Sequence, residues 1–292
     1  MAMTIGDWVA DAERTLARAG VLSARLDAEL LLATAIGLES GKATDRSHVH
    51  AIFNRDLDTG TLELANNLLE RRANREPLAY IVEKKEFYGR DFAVTSAVLI
   101  PRPETETIIE IVKLLPLKNP RIADIGTGSG AIGITLALEI PEAKITLGDI
   151  SSAALEVTSY NMRQHGVGGK MVQSNLMKDV RGTYDLIVAN LPYIDRSWAV
   201  DPETAFEPDR ALYASDEGLF YIKKLLLEAR DQLAKNGLII LEADERQHGK
   251  LIAFAKRNDY DHRLTKGLIL VFSLRKGYVK EGKENIIPVA KR

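Results

Sequence analysis

The amino-acid sequence predicts an α/β fold, a doubly wound and mostly parallel sheet preceded by a helical bundle. Three observations carry that expectation. From residue 120 onward, short β-rich runs alternate with helical stretches. A glycine-rich loop, ADIGTGSGAIG, stands between the first of those runs and a helix. Before residue 76, apolar residues recur at helical spacing and no strand candidate occurs. The chain has 292 residues, 46% hydrophobic and 27% charged, enough to bury a core in one large domain or two ordinary ones.

Residues 1–75 read as the bundle. Ile5, Val9, Ala12 and Leu16 mark a first helix that Gly20 can end. Ser23 stands where it can cap a second, ARLDAELLLATAI, which we read as stopping at Gly37. Leu62, Ala65, Leu68, Leu69 and Arg72 mark another. His48 and His50 read as surface residues rather than metal ligands, and Arg71, Arg72 and Arg75 as a solvated helix face. In EFYGRDFAVTSAVLIP the period changes to two. Phe87, Tyr88, Phe92 and Val94 flank Gly89-Arg90, read as a hairpin turn, so residues 76–98 form a linker and β-hairpin. Glu104 and Glu106 read as caps of the helix that follows. The stretches RIADI, KITLGD, MVQS, DLIVAN, GLIILEA and LILVFSL are the strands of a domain over 99–278. The polar residues 279–292 read as a flexible tail.

Composition narrows the function. A net charge of −2 gives no case for wholesale nucleic-acid binding. Without cysteine there are no disulfides and no thiolate metal site. No apolar run is long enough to span a bilayer, and MAMTIGDWVADAER lacks the pattern of a signal peptide, so a cytoplasmic location is expected.

The chemistry concentrates in two places. The loop carries Asp124, Gly126, Thr127, Gly128, Ser129 and Gly130, and its glycines allow positive φ and close approach of a ligand to the backbone. A second acid, Asp149, ends the next strand, where a carboxylate can accept both hydroxyls of a ribose. A nucleoside cofactor follows, of either of two kinds, because Gly128-x-Gly130-x-x-Gly133 with Asp149 also fits a dinucleotide fingerprint. In DLIVANLPYID, a buried-looking strand ends in Asn190, Leu191, Pro192 and Tyr193. Ligands bind beyond the carboxyl ends of such strands. Pro192 biases Leu191 towards an extended backbone. The Leu191 carbonyl and the Asn190 side chain then supply two acceptors, and Tyr193 a ring face, suited to holding a planar –NH₂ group for attack on the methyl of S-adenosylmethionine.

These motifs resemble the HemK/PrmC family of N5-glutamine methyltransferases. REPLAYIVEKKEFYGRDFAV, VLIPRPETE, ADIGTGSGAIG, LIVANLPYID and FEPDRALYASDEGL fall in that family's order, and the match covers about residues 5–275. The resemblance implies a seven-stranded Rossmann-like class I methyltransferase sheet, an N-terminal helical substrate-recognition domain and a connecting hairpin. It implies S-adenosyl-L-methionine as cofactor and, as protein substrate, a peptide-chain release factor methylated on the glutamine of its Gly-Gly-Gln motif. It places Gly126 to Gly130 against the methionine and ribose, Asp149 at the ribose hydroxyls, Asn175 and Leu176 at the adenine, and Asn190, Leu191, Pro192 and Tyr193 at the glutamine amide. Two residues depart from the family pattern: Leu191 replaces its usual proline, and Asn175 its usual acid. The ending TKGLILVFSLRK also lacks the family's usual acid and arginine. A glutamine methyltransferase for a ribosomal protein, an adenine-N6 methyltransferase, an NAD-dependent oxidoreductase and a non-catalytic binding module are the competing readings.

Overall fold

The computed structural model describes residues 3–275, so the tail expected over 279–292 lies outside the described residues. The chain divides into two compact units. One runs to Lys84 and takes in Val200–Phe206; the other holds Lys85–Ala199 and resumes at Glu207.

The first unit is helical. It contains α1 (Ile5–Arg18), α2 (Ala24–Ser40), α3 (Arg46–Ala51), α4 (Thr59–Ala73) and α5 (Leu78–Ile81). Trp8, Val9, Leu16, Leu31, Leu32 and Ala65 pack into its core. Thr4 caps α1 by accepting from the Asp7 N–H. Ser23 precedes α2 but its side chain makes no cap bond, contrary to the sequence reading. The helix also passes through Gly37 and ends at Gly41, whose φ of 66° supplies the left-handed turn that Gly37 does not. The short α3 carries His48 and His50, both exposed. The larger correction concerns Arg72. It is 4% exposed, not solvated, with Nε 2.7 Å from Asp27 Oδ2 and Nη2 2.7 Å from Glu203 Oε1. Arg75 Nη2 also lies 3.0 Å from Glu203 Oε1, which ties the Val200–Phe206 segment to α4's end.

The second unit opens with a hairpin, β1 (Lys84–Phe87) and β2 (Arg90–Ala93). Its turn is Tyr88-Gly89, one residue earlier than read from the sequence. Both have positive φ, 52° and 71°, the backbone that a tight two-residue hairpin demands. After α6 (Glu106–Lys113) the chain builds β3 (Arg121–Ile125), α7 (Ala131–Glu139), β4 (Lys144–Asp149), α8 (Ser152–Gln164), β5 (Lys170–Gln173) and β6 (Tyr184–Ala189). There follow α9 (Asp209–Leu212), α10 (Phe220–Ala229), β7 (Leu233–Glu242), α11 (Glu245–Arg257), β8 (Tyr260–Lys266) and β9 (Ile269–Leu274). The seven-stranded sheet has the order β5-β4-β3-β6-β7-β9-β8, parallel up to β7 and antiparallel through β9 and β8. Period-two alternation sorts the strand residues onto two faces. Ile187 and Ala189 share one core with Ile222 and Leu225 of α10, while Leu186 and Val188 join Ile108 of α6 and Ile134 of α7 in the other.

Neither Glu104 nor Glu106 caps α6. Glu106 instead accepts from the Tyr88 N–H at 2.9 Å, holding the hairpin turn. Asn161 of α8 fixes the other end of the hairpin: Oδ1 accepts from the Ala93 N–H and Nδ2 donates to the Ala93 carbonyl.

Candidate active site

β3 has β4 on one side and β6 on the other, both parallel to it. Strand order reverses there, and the carboxyl ends of such strands border a crevice. The sequence puts its two motifs at that edge, the glycine loop after β3 and Asn190 after β6.

The loop is held from several directions. The Gly126 and Thr127 N–H groups donate to the Gly148 carbonyl, and the Gly128 N–H donates to Asp149 Oδ2 at 2.9 Å. From α8, Thr158 Oγ1 donates to the Gly128 carbonyl and Asn161 Nδ2 to the Ser129 carbonyl. Gly133 has a packing task, because a Cβ there would come within 2.2 Å of Leu147 Cδ2 and 3.0 Å of Asp124 Oδ2. Its bare backbone lets α7 close on the sheet, so that its N–H donates to Asp124 Oδ2 at 2.9 Å. Asp124 also accepts from Thr127 Oγ1 at 2.6 Å, while its other oxygen is buried without a partner among the described residues. Burial pushes its carboxyl up to about 6, against the Thr127 and Gly133 donors and with the help of the Asp149 charge.

A cavity of ≈ 420 Å³ opens at this edge. Gly126, Thr127, Gly128, Ser129, Asp149, Asn175, Leu176, Asn190, Leu191 and Pro192 of the sequence-named residues line it. Asp124, Gly130 and Tyr193 do not. Asp124 lies fully buried, Gly130 begins α7 with φ 84°, and the Tyr193 hydroxyl donates to Glu242 Oε1 at 3.0 Å. Leu176 holds φ 55°, an uncommon backbone for leucine, braced by Ser174 Oγ donating to its carbonyl at 2.8 Å. Leu191 is 4% exposed, and its Cδ2 would touch a Cβ at Gly126 at 2.8 Å. Its side chain therefore packs in the core beside the glycine loop.

Sequence reading missed Thr105 and Glu242. Asn190 Nδ2 donates to Thr105 Oγ1 at 3.0 Å, and Thr105 Oγ1 donates to Glu242 Oε2 at 2.6 Å. Burial pushes the Glu242 carboxyl up, helped by the Glu104 charge and opposed by its bonds from Thr105, Tyr193 and Asn190. Burial, then the Glu242 charge, pushes the Tyr193 phenol up, so the ring stays protonated. The one signal in the sequence was an acid ending the GLIILEA strand beside an edge already rich in motif residues.

The pocket fits S-adenosylmethionine by size and lining. Its volume lies in the range of small-molecule sites, and Ile132, Ile150 and Leu176 offer apolar surface for a purine. Each oxygen of Asp149 accepts one backbone N–H, from Gly128 and Ser151, and keeps capacity for a ribose hydroxyl.

Residues 105–205 match the family model of the methyltransferase small domain, and residues 7–82 that of the PrmC N-terminal domain. A methyltransferase from Pyrococcus furiosus shares the fold with a TM-score of 0.52 at 20% identity, over 70% of this chain and 97% of that one. The class is that of Rossmann-like methyltransferases. Within it, a release factor glutamine methyltransferase from Deinococcus radiodurans is 35% identical over 256 residues, 86% of this chain and 90% of the relative. Another from Coxiella burnetii is 36% identical over 265 residues, 87% of this chain and 92% of the relative. The chain belongs to the family of release factor glutamine methyltransferases.

Proposed function

We propose that this protein transfers the methyl group of S-adenosylmethionine to the side-chain amide nitrogen (N5) of the glutamine in the Gly-Gly-Gln motif of a peptide-chain release factor. The carrying observation is the state of Asn190. Its Nδ2 is spent on Thr105 and Glu242, and among the described residues nothing donates to its Oδ1. An acceptor is thus left at the end of β6, beside the glycine loop, where the Leu191 carbonyl can provide a second.

S-adenosylmethionine, when bound, supplies an electrophilic methyl on a sulfonium. Gly126 to Ser129 and Asp149 would hold its methionine and ribose portions, with Asn175 and Leu176 at the adenine. Asn190 Oδ1 and the Leu191 carbonyl would accept from the two N–H bonds of the glutamine amide. Those bonds draw the nitrogen lone pair out of conjugation and aim it, so positioning supplies most of the acceleration. Tyr193, kept protonated and tethered to Glu242 behind the cavity wall, braces the motif and is not a base. Pro192 fixes the backbone that follows Leu191. The helical domain, 1–75 in sequence terms, would read the release factor, with 76–98 as connector and 99–278 as catalytic domain. Among the described residues no helix is long and apolar enough to cross a membrane. A cytoplasmic enzyme that meets a protein partner, without sequence-specific nucleic-acid binding, fits the net charge of −2.

The test is to incubate the protein with labelled S-adenosylmethionine and purified release factors and map the label by mass spectrometry. Label on the motif glutamine is expected; label elsewhere or none overturns the reading. Asn190→Ala should lower turnover by about 10²–10³ with cofactor affinity nearly unchanged.

A further inference from the structure

Asn190 stands at the end of a hydrogen-bonded chain whose direction follows from which atoms carry protons. Glu242 is 1% exposed, its two oxygens face two hydroxyls, Thr105 at 2.6 Å and Tyr193 at 3.0 Å, and the Asn190 amide also donates towards it. In its ionised form, which the converging hydroxyl and amide donors favour against burial, Glu242 only accepts, so each hydroxyl points its proton at it. Thr105 has one proton. With that proton committed, its oxygen can only accept from the third member of the chain, 3.0 Å away, and the amide of Asn190 must turn its N–H₂ inward. The two ends of an amide are nearly equal in size, so packing alone would not choose between them. Hydrogen-bond polarity does choose.

We propose that Glu242 and Thr105 are positioning residues that lock the Asn190 amide with its oxygen towards the cavity, and so make the site select a ligand that brings an –NH₂ group. The proposal rests on Asn190 being the holder of the target amide. Were the carboxylate absent, the Thr105 hydroxyl could donate to Asn190 Oδ1. The amide would then turn over and present N–H₂ to the incoming –NH₂, donor against donor. The same turn would suit a carboxylate ligand. Substrate discrimination between glutamine and glutamate is therefore the readout that a purely structural role would not move.

The experiment uses full-length protein and a purified release factor in two forms, with glutamine or with glutamate at the target position. Glu242→Met keeps side-chain length and removes both acceptors. It should lower kcat by at least about tenfold, a fraction of the loss expected for removing a preorganised partner outright. Affinity for S-adenosylmethionine by calorimetry should stay within about twofold, and the preference for binding the glutamine form over the glutamate form should fall. Thr105→Val should lower kcat by at least about threefold, and Thr105→Ser, which restores the hydroxyl, should recover it. If Glu242→Met does not fold, the valine and serine pair decides: a fall that serine does not recover, or no fall, overturns the proposal. Full turnover and unchanged discrimination in Glu242→Met overturn it as well. Asn190→Ala separates the two readings. If that variant is inactive while the Glu242 and Thr105 variants run at full rate, the polarity lock alone fails. If Asn190→Ala itself turns over normally, the amide holder fails and the lock with it.

Discussion

Both units bury acids beside arginine, but the sheet unit also buries two, Asp124 and Glu242, that meet no cation among the described residues. In the helical unit, Asp27 and Glu29 are each 2% exposed and each meets arginine. Asp27 pairs with Arg72, and Glu29 pairs with Arg25 and Arg46, with His50 at 3.3 Å. Burial pushes Glu29 up, but its bonds from Arg46 and Arg25 outweigh that and leave it below the ordinary carboxylate range. In the sheet unit Glu207, 5% exposed, likewise meets Arg102 at 2.7 Å, whereas Asp124 and Glu242 meet hydroxyls and N–H groups and, among the described residues, no cation. Both are pushed up by burial. A buried charge neutralised on the spot is finished architecture. A buried acid left with donors alone has an unfavourable environment that only a functional task repays, and such groups gather at sites.

The sharpest way to break that contrast is Arg72→Met. It leaves Asp27 buried beside an apolar side chain and releases Glu203. Removing one partner of a buried pair costs about 3–5 kcal/mol. The two tryptophans make the measurement local, since Trp8 lies in the helical core and Trp198 in the sheet unit. Urea unfolding followed by Trp8 in a Trp198→Phe background should move by that amount. A shift below about 1 kcal/mol would place the pair with ordinary surface bridges.

Acid should act in opposite directions through Asp124 and through Glu29. The Asp124 carboxyl sits at about 6 in the folded protein against an ordinary 3.8. Between those values the native state holds a proton that the unfolded chain has released. Stability from this group is therefore fully present below about pH 4 and is lost as pH rises through about 6, by about 3 kcal/mol. Glu29, held low, contributes stability above its unfolded value and loses it as pH falls through its lowered one. Asp124→Asn should flatten the sheet unit's dependence between pH 4 and 6, read by Trp198 in a Trp8→Phe background. An unchanged slope would assign it to another group.

What was legible in the sequence follows the range of the physics. The glycine loop, the strand KITLGD and the run ending at Asn190 are local patterns, and the structure has the loop and strands where they were read. β8, YDHRLTK, was not read because an edge strand with one buried residue, Tyr260, has no alternating apolar signal. Arg72 read as solvated because its partners stand 45 and 131 residues away. Thr105 and Glu242 are 137 residues apart, and neither has a motif of its own. Leu191 read as a backbone position because its contact with Gly126 exists only once β3 and β6 pair. Pairings over such distances are made by the fold and leave no local trace.

Asp149 sharpens the comparison from the ligand's side. It lies half-buried on the cavity, and each oxygen accepts one backbone N–H. If acids of the sheet unit keep lone pairs for ligands, Asp149→Ala should weaken S-adenosylmethionine binding by about 1.5–3 kcal/mol, the range for bonds to a charged group. Calorimetry reads it directly. Unchanged affinity, or tight NADH binding by the unmodified protein, would remove the ribose assignment.

The smallest effect tests whether the helical unit's charges are redundant where they are many. Arg46 gives Glu29 two bonds, Nε at 2.9 Å and Nη2 at 2.6 Å, yet its side chain is 47% exposed. Arg46→Ala removes both bonds. It also opens a path for water to Glu29 and leaves Arg25 Nε at 2.7 Å on the other oxygen. The carboxylate is then neither unpaired nor fully dry, in contrast to Asp27 after loss of Arg72. An exposed partner contributes about 1 kcal/mol or less, so urea unfolding followed by Trp8 should shift by no more than that. A loss as large as that of Arg72→Met would mean that Glu29 depends on Arg46 alone, and that the two arginines around it do not share its charge.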